Sequence, residues 1–291
     1  MANLRDIRKR IKSVKNTQQI TKAMKLVSAA KLRRATDAVS NAVVYAGAID
    51  NLIRKVSGGL DLKGHPWFNK EDRSENILYV VISSDRGLCG SLNNNLFKQV
   101  LGLKKEDEKA GKVVECVTIG RKAGDFARRE EFKVTEAIDS RVIGEADYAY
   151  CEELTKTFDK LYCDEKYDSI RIFYNQFRSV LVQEFADEVL FPLPEADGAE
   201  DGSSDAVYVV EPNAEELLDD IFPKYVSNKI YAAILNNNAS EHGARMTAMD
   251  NATKNAKEMI DDLTLTYNQA RQAAITTELT EIISGAESLK G

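Results

Sequence analysis

The sequence predicts an α/β protein in which long N- and C-terminal helices form an antiparallel coiled coil and a Rossmann-like α/β domain is inserted between them. Three observations carry this: a heptad seam near the C-terminus, a second near the N-terminus, and a different texture between them. In the first seam, small or apolar residues recur at alternating steps of four and three from Ile221 through Tyr225, Ala232, Leu235, Ala239, Met246, Met249, Ala256, Ile260, Leu263, Tyr267, Ala270 and Ala274 to Thr277, with Asn228, His242 and Thr253 as its polar members. That is the period of one long helix coiled against a partner. No proline follows Lys224, and only Gly243 weakens the stretch before Gly285. At the rise of an α-helix, a helix from about Pro212 to Leu289 would be roughly 115 Å long.

The N-terminal seam reads Leu4, Ile7, Ile11, Val14 and then, in unbroken phase, Leu32, Ala35, Val39, Ala42, Ala46, Ile49, Ile53 and Val56. Between the halves the same register falls on the polar Gln18, Thr21, Lys25 and Ser28, while Ile20, Met24 and Val27 lie on a neighbouring stripe. The seam is therefore expected to be weak or redirected in its middle. Two such helices at opposite ends of one chain can pair within it and would run antiparallel; a homodimeric coiled coil is the alternative that the pattern leaves open.

Gly58-Gly59 and Gly64-His65-Pro66 end the first helix, since paired glycines and a proline cannot continue it. Strands are predicted over Ile77–Ser83, Val113–Ile119, Phe132–Ile138, Ile170–Gln176 and Val180–Phe191, and helices over Ser91–Lys104, Arg121–Arg129 and Glu145–Tyr162. Strand and helix alternating in this way argue for a mostly parallel sheet covered on both faces, its last strand antiparallel at an edge. An acidic loop over Glu195–Asp205 and a short strand over Val207–Val210 precede Pro212 or Asn213, where the second long helix begins. The expected divisions are 1–58 for the N-terminal helix, 74–194 for the α/β domain, 195–211 for the acidic loop and strand, and 212–291 for the C-terminal helix.

Composition narrows the chemistry. No segment approaches the ~18 apolar residues of a membrane-spanning helix, so a soluble chain is expected. The four cysteines (Cys89, Cys116, Cys151, Cys163) and two histidines have no metal-binding spacing, which points to reduced, structural thiols. The basic N-terminus lacks the apolar core of a secretory signal. A net charge of −6 hides an asymmetry: residues 1–36 hold eleven Lys/Arg and one acid, whereas residues 179–223 hold thirteen Asp/Glu and no Lys or Arg. The two regions should meet different partners. The basic helix could bind nucleic acid, but residues 1–44 contain no aromatic residue to stack on bases, and an acidic protein partner accounts for the same charges.

Ser83-Ser84-Asp85-Arg86-Gly87-Leu88-Cys89-Gly90-Ser91, a glycine-containing turn after a strand, invites a phosphate-binding or catalytic reading. It fits neither Gly-x-Gly-x-x-Gly nor a P-loop, and a tight structural turn capping a helix accounts for it. No nucleophile with a positioned base emerges. Past Ala274 the apolar residues are Ile275, Leu279, Ile282, Ala286 and Leu289, displaced by one from the seam, so the tip is expected to leave its helical partner.

The stretches Ile20–Arg34, Ser84–Gly90, Glu241–Met249 and Tyr267–Leu279 together resemble the gamma subunit of the F-type ATP synthases, along the whole chain. The resemblance implies a central rotor shaft, without cofactor or chemistry of its own. It would penetrate a ring of three alpha and three beta subunits and sit beside the epsilon subunit on the c ring, peripheral to the cytoplasmic face of a bacterial membrane. It also implies roles: Arg271 and Gln272 as a catch on one beta subunit; Met24 and Arg245 where the two helices meet the lower lever of beta, with Lys22, Lys25, Lys31, Arg33 and Arg34 facing its acidic lever segment; Tyr208 and Glu211 as the foot on the c ring; and Ile275, Leu279, Ile282 and Leu289 as a C-terminal bearing. The paired cysteines of the chloroplast form are missing, so thiol control is not expected, and the absence of a transit peptide favours a bacterial source.

Overall fold

The computed structural model describes residues 4–57, 67–68, 75–138, 148–193 and 214–288. In chain order the elements are α1 (Leu4–Ser57), β1 (Asn76–Ile82), α2 (Leu92–Lys109), β2 (Val113–Ile119), α3 (Arg121–Arg129), β3 (Lys133–Ile138), α4 (Tyr148–Cys163), β4 (Ser169–Phe177), β5 (Gln183–Phe191) and α5 (Ala214–Ser288). They form two compact units, Met1–Ser28 with Met246–Gly291, and Ala29–Arg245. The expected strand at Val207–Val210 and the acidic loop lie outside the described residues, as does the start of the helix expected from Glu145.

The larger unit is built on a five-stranded sheet in the order β3-β2-β1-β4-β5. The first four strands are parallel, and β5 runs antiparallel to β4 at the edge. β1 shows why its sequence is an unbroken apolar run: Leu78, Val80 and Ile82 enter one core and Ile77, Tyr79 and Val81 the other. A strand covered on both faces cannot alternate with polar residues. One face is covered by Leu96, Phe97 and Val100 of α2 and Ala123, Phe126 and Ala127 of α3. The other is covered by Cys151, Leu154 and Phe158 of α4 and by Leu218, Phe222, Val226, Ile230 and Ile234 of α5. The first part of the long C-terminal helix is thus part of the domain core.

Two boundaries differ from expectation for identifiable reasons. α2 continues to Lys109 through a charged run because its buried charges are satisfied: Lys104 Nζ donates to the Glu130 carbonyl at 3.0 Å and lies over the Phe132 ring, while Asp107 accepts from Lys112 at 3.0 Å, from Arg171 at 3.3 Å and from the Tyr79 hydroxyl. β5 begins at Gln183, since residues 178–182 form a tight turn in which the amides of Arg178 and Ser179 both donate to the Val182 carbonyl. On β2, burial alone would raise the Glu115 carboxyl, but hydrogen bonds from Lys133, Tyr167 and Thr135 outweigh it and hold the group at about 2.

The smaller unit is an antiparallel helix pair. Arg8 donates to the Tyr267 hydroxyl at 2.5 Å, Thr21 Oγ1 lies 2.8 Å from Thr253 Oγ1, and Lys25 Nζ is 2.5 Å from Asp250 Oδ1. As the residue number rises on α1, the partner's number falls on α5 in nearly equal steps. The protected positions on α5 within this unit include Met249, Thr253, Ala256, Ile260, Leu263, Tyr267, Ala270 and Ala274, which is the heptad register. On α1 the register also persists through its polar middle. Thr21 and Ser28 are only 8% and 4% exposed, while the apolar Ile20 and Val27 are 59% and 57% exposed. The seam is therefore not redirected onto the Ile20 stripe. Hydroxyls and an ion pair fill it: Thr21 meets Thr253 and Lys25 meets Asp250 across the pair.

Candidate functional site: the sheet's switch point and the exposed helix faces

Strand order reverses between β1 and β4, and in open α/β sheets that switch point, at the carboxyl ends of the strands, is where ligands bind. The loop after β1 lies there. Its polar groups are engaged within the chain: Ser83 Oγ accepts from the Ala123 amide at 2.6 Å, Asp85 Oδ1 from the Arg121 amide at 2.9 Å, and Ser84 Oγ from Asn93 Nδ2 at 2.7 Å. Leu88 and Gly90 turn the loop with φ of +64° and +62°. Cys89 is buried, with its Sγ 3.4 Å from Asn93 Nδ2, and no base among the described residues activates it.

α5 closes the same region. Arg245, buried and paired with Glu241 at 2.6 Å, donates to the carbonyls of Arg86 at 3.4 Å and Gly87 at 3.3 Å. Asn237 Oδ1 accepts from Asn175 Nδ2 at 3.1 Å, Asn236 Oδ1 from the Phe177 amide at 3.3 Å, and Ser240 Oγ donates to the Asn175 carbonyl at 2.9 Å. Among the described residues, no cluster of His, Cys, Asp and Glu could hold a metal ion, and no helix is long and apolar enough to cross a membrane. The arrangement is suited to holding a helix.

His242 is next to this grip. Burial, followed by the positive charges of Arg245 and Lys31, lowers its pKa from 6.5 to about 4, and its Nδ1 has no hydrogen-bond partner. Because the folded state resists protonation, stability is complete above the unfolded value and is lost as pH falls from 6.5 through 4. After allowance for partial solvent screening, the loss is about 2 kcal/mol. Melting of His242→Gln should lack this part of the acid sensitivity; a wild-type melting temperature constant from pH 7 to pH 4.5 would contradict it.

The other residues singled out from the sequence lie on separate surfaces. Lys22, Lys31, Arg33 and Arg34 are exposed; Met24 and Lys25 are half-buried, and Lys25 is engaged by Asp250. Arg271 and Gln272 are exposed. Ile275, Leu279 and Ile282 are exposed aliphatics on the last turns of α5, and Ile283, which the register displacement did not single out, joins them. Tyr208, Glu211 and Leu289 lie outside the described residues. Sequence reasoning also missed Asn236, Asn237 and Ser240; the only signal was a run of asparagines in an otherwise apolar helix segment.

Together these features define a class: two long terminal helices that pair antiparallel, with an α/β domain in the chain between them. A family model described as ATP synthase matches residues 3–289. The chain is 43% identical over 291 residues to the ATP synthase gamma chain of Trichlorobacter lovleyi and 45% identical over 291 residues to that of Geotalea daltonii, each match covering 100% of both proteins. Among solved structures it is similar to a chain of the Euglena gracilis mitochondrial ATP synthase rotor, at a TM-score of 0.65 and 22% identity, covering 94% of this chain and 98% of that one. A chain from the OSCP/F1/c-ring assembly of the same enzyme gives a TM-score of 0.70 at 23% identity, covering 98% and 94%. The chain belongs to the ATP synthase gamma-chain family, and so is a subunit of an enzyme complex.

Proposed function

We propose that this chain is the central rotor shaft of an F-type ATP synthase, coupling ion-driven rotation of a membrane c ring to the conformational cycle of the catalytic beta subunits and doing no bond chemistry itself. The observation that carries the reading is the C-terminal end of α5. There Ile275, Leu279, Ile282 and Ile283 are all exposed on a helix whose seam positions are protected as far as Ala274. Such an uncovered aliphatic tip suits a bearing inside a ring of other subunits. The crevice that would hold a cofactor in an α/β enzyme is taken up by α5, which favours a mechanical role over a catalytic one.

In this reading the exposed basic residues Lys22, Lys31, Arg33 and Arg34 meet the acidic lever of beta, with Met24 at the same level. Lys25 and Arg245, held by Asp250 and Glu241, act at that level by fixing the shaft. Tyr208 and Glu211 form the foot on the c ring, beside epsilon, and the complex sits peripherally on the cytoplasmic face of a bacterial membrane. Rotation works because an asymmetric rod presents a different face to each beta subunit, and shifts each only as far as its differential contact energy allows. Arg271 and Gln272 form the catch. A charge-assisted contact of this kind is worth roughly 1.5–3 kcal/mol, so Arg271→Ala should lower ATP-driven ion pumping by the assembled complex about tenfold or more. Nucleotide affinity of isolated beta should not change. Unaltered pumping would remove the catch assignment.

A further inference from the structure

We propose that Asn236, Asn237 and Ser240 are positioning residues that key α5 to β4, so that torque applied to the α/β domain turns the helix without slip; the proposal rests on the rotor reading. The pairing of β1 with β4 stops at Val81 and Phe173, whereas β4 and β5 remain paired as far as Phe177 and Gln183. β4 therefore overhangs β1, and main-chain groups on its β1 side beyond Phe173 have no strand beside them. α5 supplies their partners. Ser240 Oγ donates to the Asn175 carbonyl, and Asn236 Oδ1 accepts from the Phe177 amide. Asn237 takes the Asn175 side chain, and Asn236 Nδ2 turns back to the Ala232 carbonyl at 2.9 Å.

All three helix side chains are buried, Ser240 completely, and their spacing of one and four residues puts them on one face of the helix. One turn further on, Gly243 lets the Phe177 ring approach the helix: a Cβ there would lie 3.2 Å from Phe177 Cε2. Arg245 then fastens the loop after β1. An apolar helix–sheet contact is non-directional and can shear by small sliding. Hydrogen bonds to fixed strand groups hold only at one axial position and one rotation of the helix, since they weaken steeply with misalignment. The switch point of the sheet is used to seat α5.

The test uses the complete ATP synthase reconstituted in vesicles, measuring ATP-driven ion uptake per ATP hydrolysed, together with thermal melting of the chain. In Asn175→Leu/Asn237→Leu both partners become apolar groups of similar size, which leaves stability nearly unchanged; Ser240→Ala removes the bond to the Asn175 carbonyl alone. The double variant should assemble and melt near wild type and Ser240→Ala somewhat below it, since the buried Asn175 carbonyl loses its donor; each should lose about threefold or more in uptake per ATP, because part of the directional grip is gone. If uptake per ATP in the assembled complexes equals wild type, whether or not melting or yield falls, the residues only stabilise the fold and the proposal is overturned. If the wild-type complex shows no coupled uptake at all, the rotor reading fails and the torque role goes with it.

Discussion

Gly120→Ala is expected to melt roughly 10 °C below wild type, from a loss of about 3 kcal/mol. Gly120 joins β2 to α3 with φ of +96°, a region that residues with a Cβ rarely adopt. An added Cβ would lie 2.4 Å from the Ser83 carbonyl oxygen and 3.2 Å from Ser83 Oγ. Neither can yield cheaply. The Ser83 amide donates to the Ile119 carbonyl, its Oγ accepts from the Ala123 amide, and the Gly120 amide donates to the Ile138 carbonyl. The substitution therefore pushes apart the carboxyl ends of three adjacent parallel strands. Gly102→Ala is the control: it lies within α2 with nothing within 4 Å of the added Cβ and should stabilise by about 0.5–1 kcal/mol. Calorimetry on the two variants separates backbone strain from a general intolerance of side chains, and equal melting of Gly120→Ala and wild type would contradict the account.

Ala256→Glu should open the helix pair of the smaller unit. Ala256 is buried on the seam between α1 and α5, where a small residue permits close approach. A carboxylate there finds neither room nor a partner, and an unpaired buried charge costs about 3–5 kcal/mol. Two helices without a third layer have little reserve against such a loss. Amide exchange over residues 4–28 should lose most of its protection, and the variant should fail to co-elute with alpha and beta subunits. Lys257→Glu, one position along on the exposed face, should do neither. Full protection in Ala256→Glu would show that the seam does not hold the pair.

The seam was legible in its apolar stretches but not in its polar middle, where it was expected to weaken or shift and instead keeps the heptad period. Gln18, Thr21, Lys25 and Ser28 keep the register, and the structure shields them while leaving Ile20, Leu26 and Val27 exposed. Hydrophobicity pointed to the wrong stripe, and only the phase of the flanking heptads, carried through the polar residues, points to the right one. β2 and α3 matched their expected limits, since a both-faced apolar run and a strongly amphipathic segment are local signals. The end of α2 was not legible because Lys104 and Asp107 look solvent-bound until Glu130, Tyr79, Lys112 and Arg171 are brought to them. The grip of Asn236, Asn237 and Ser240 on β4 was hidden for the same reason: their partners lie some sixty residues earlier in the chain. The exposed tip could be read from a one-residue displacement of the apolar face after Ala274.

The central claim is that this chain turns as a shaft within a ring of other subunits, and its own cysteines supply the handle. Cys163 is exposed, whereas Cys89, Cys116 and Cys151 are buried, so a maleimide probe should mark the α/β domain at one position. With alpha and beta subunits immobilised and ATP supplied, the probe should rotate in one direction with three dwells per turn. A probe that stays fixed while the complex hydrolyses ATP, or a chain that never joins the ring, would contradict the account.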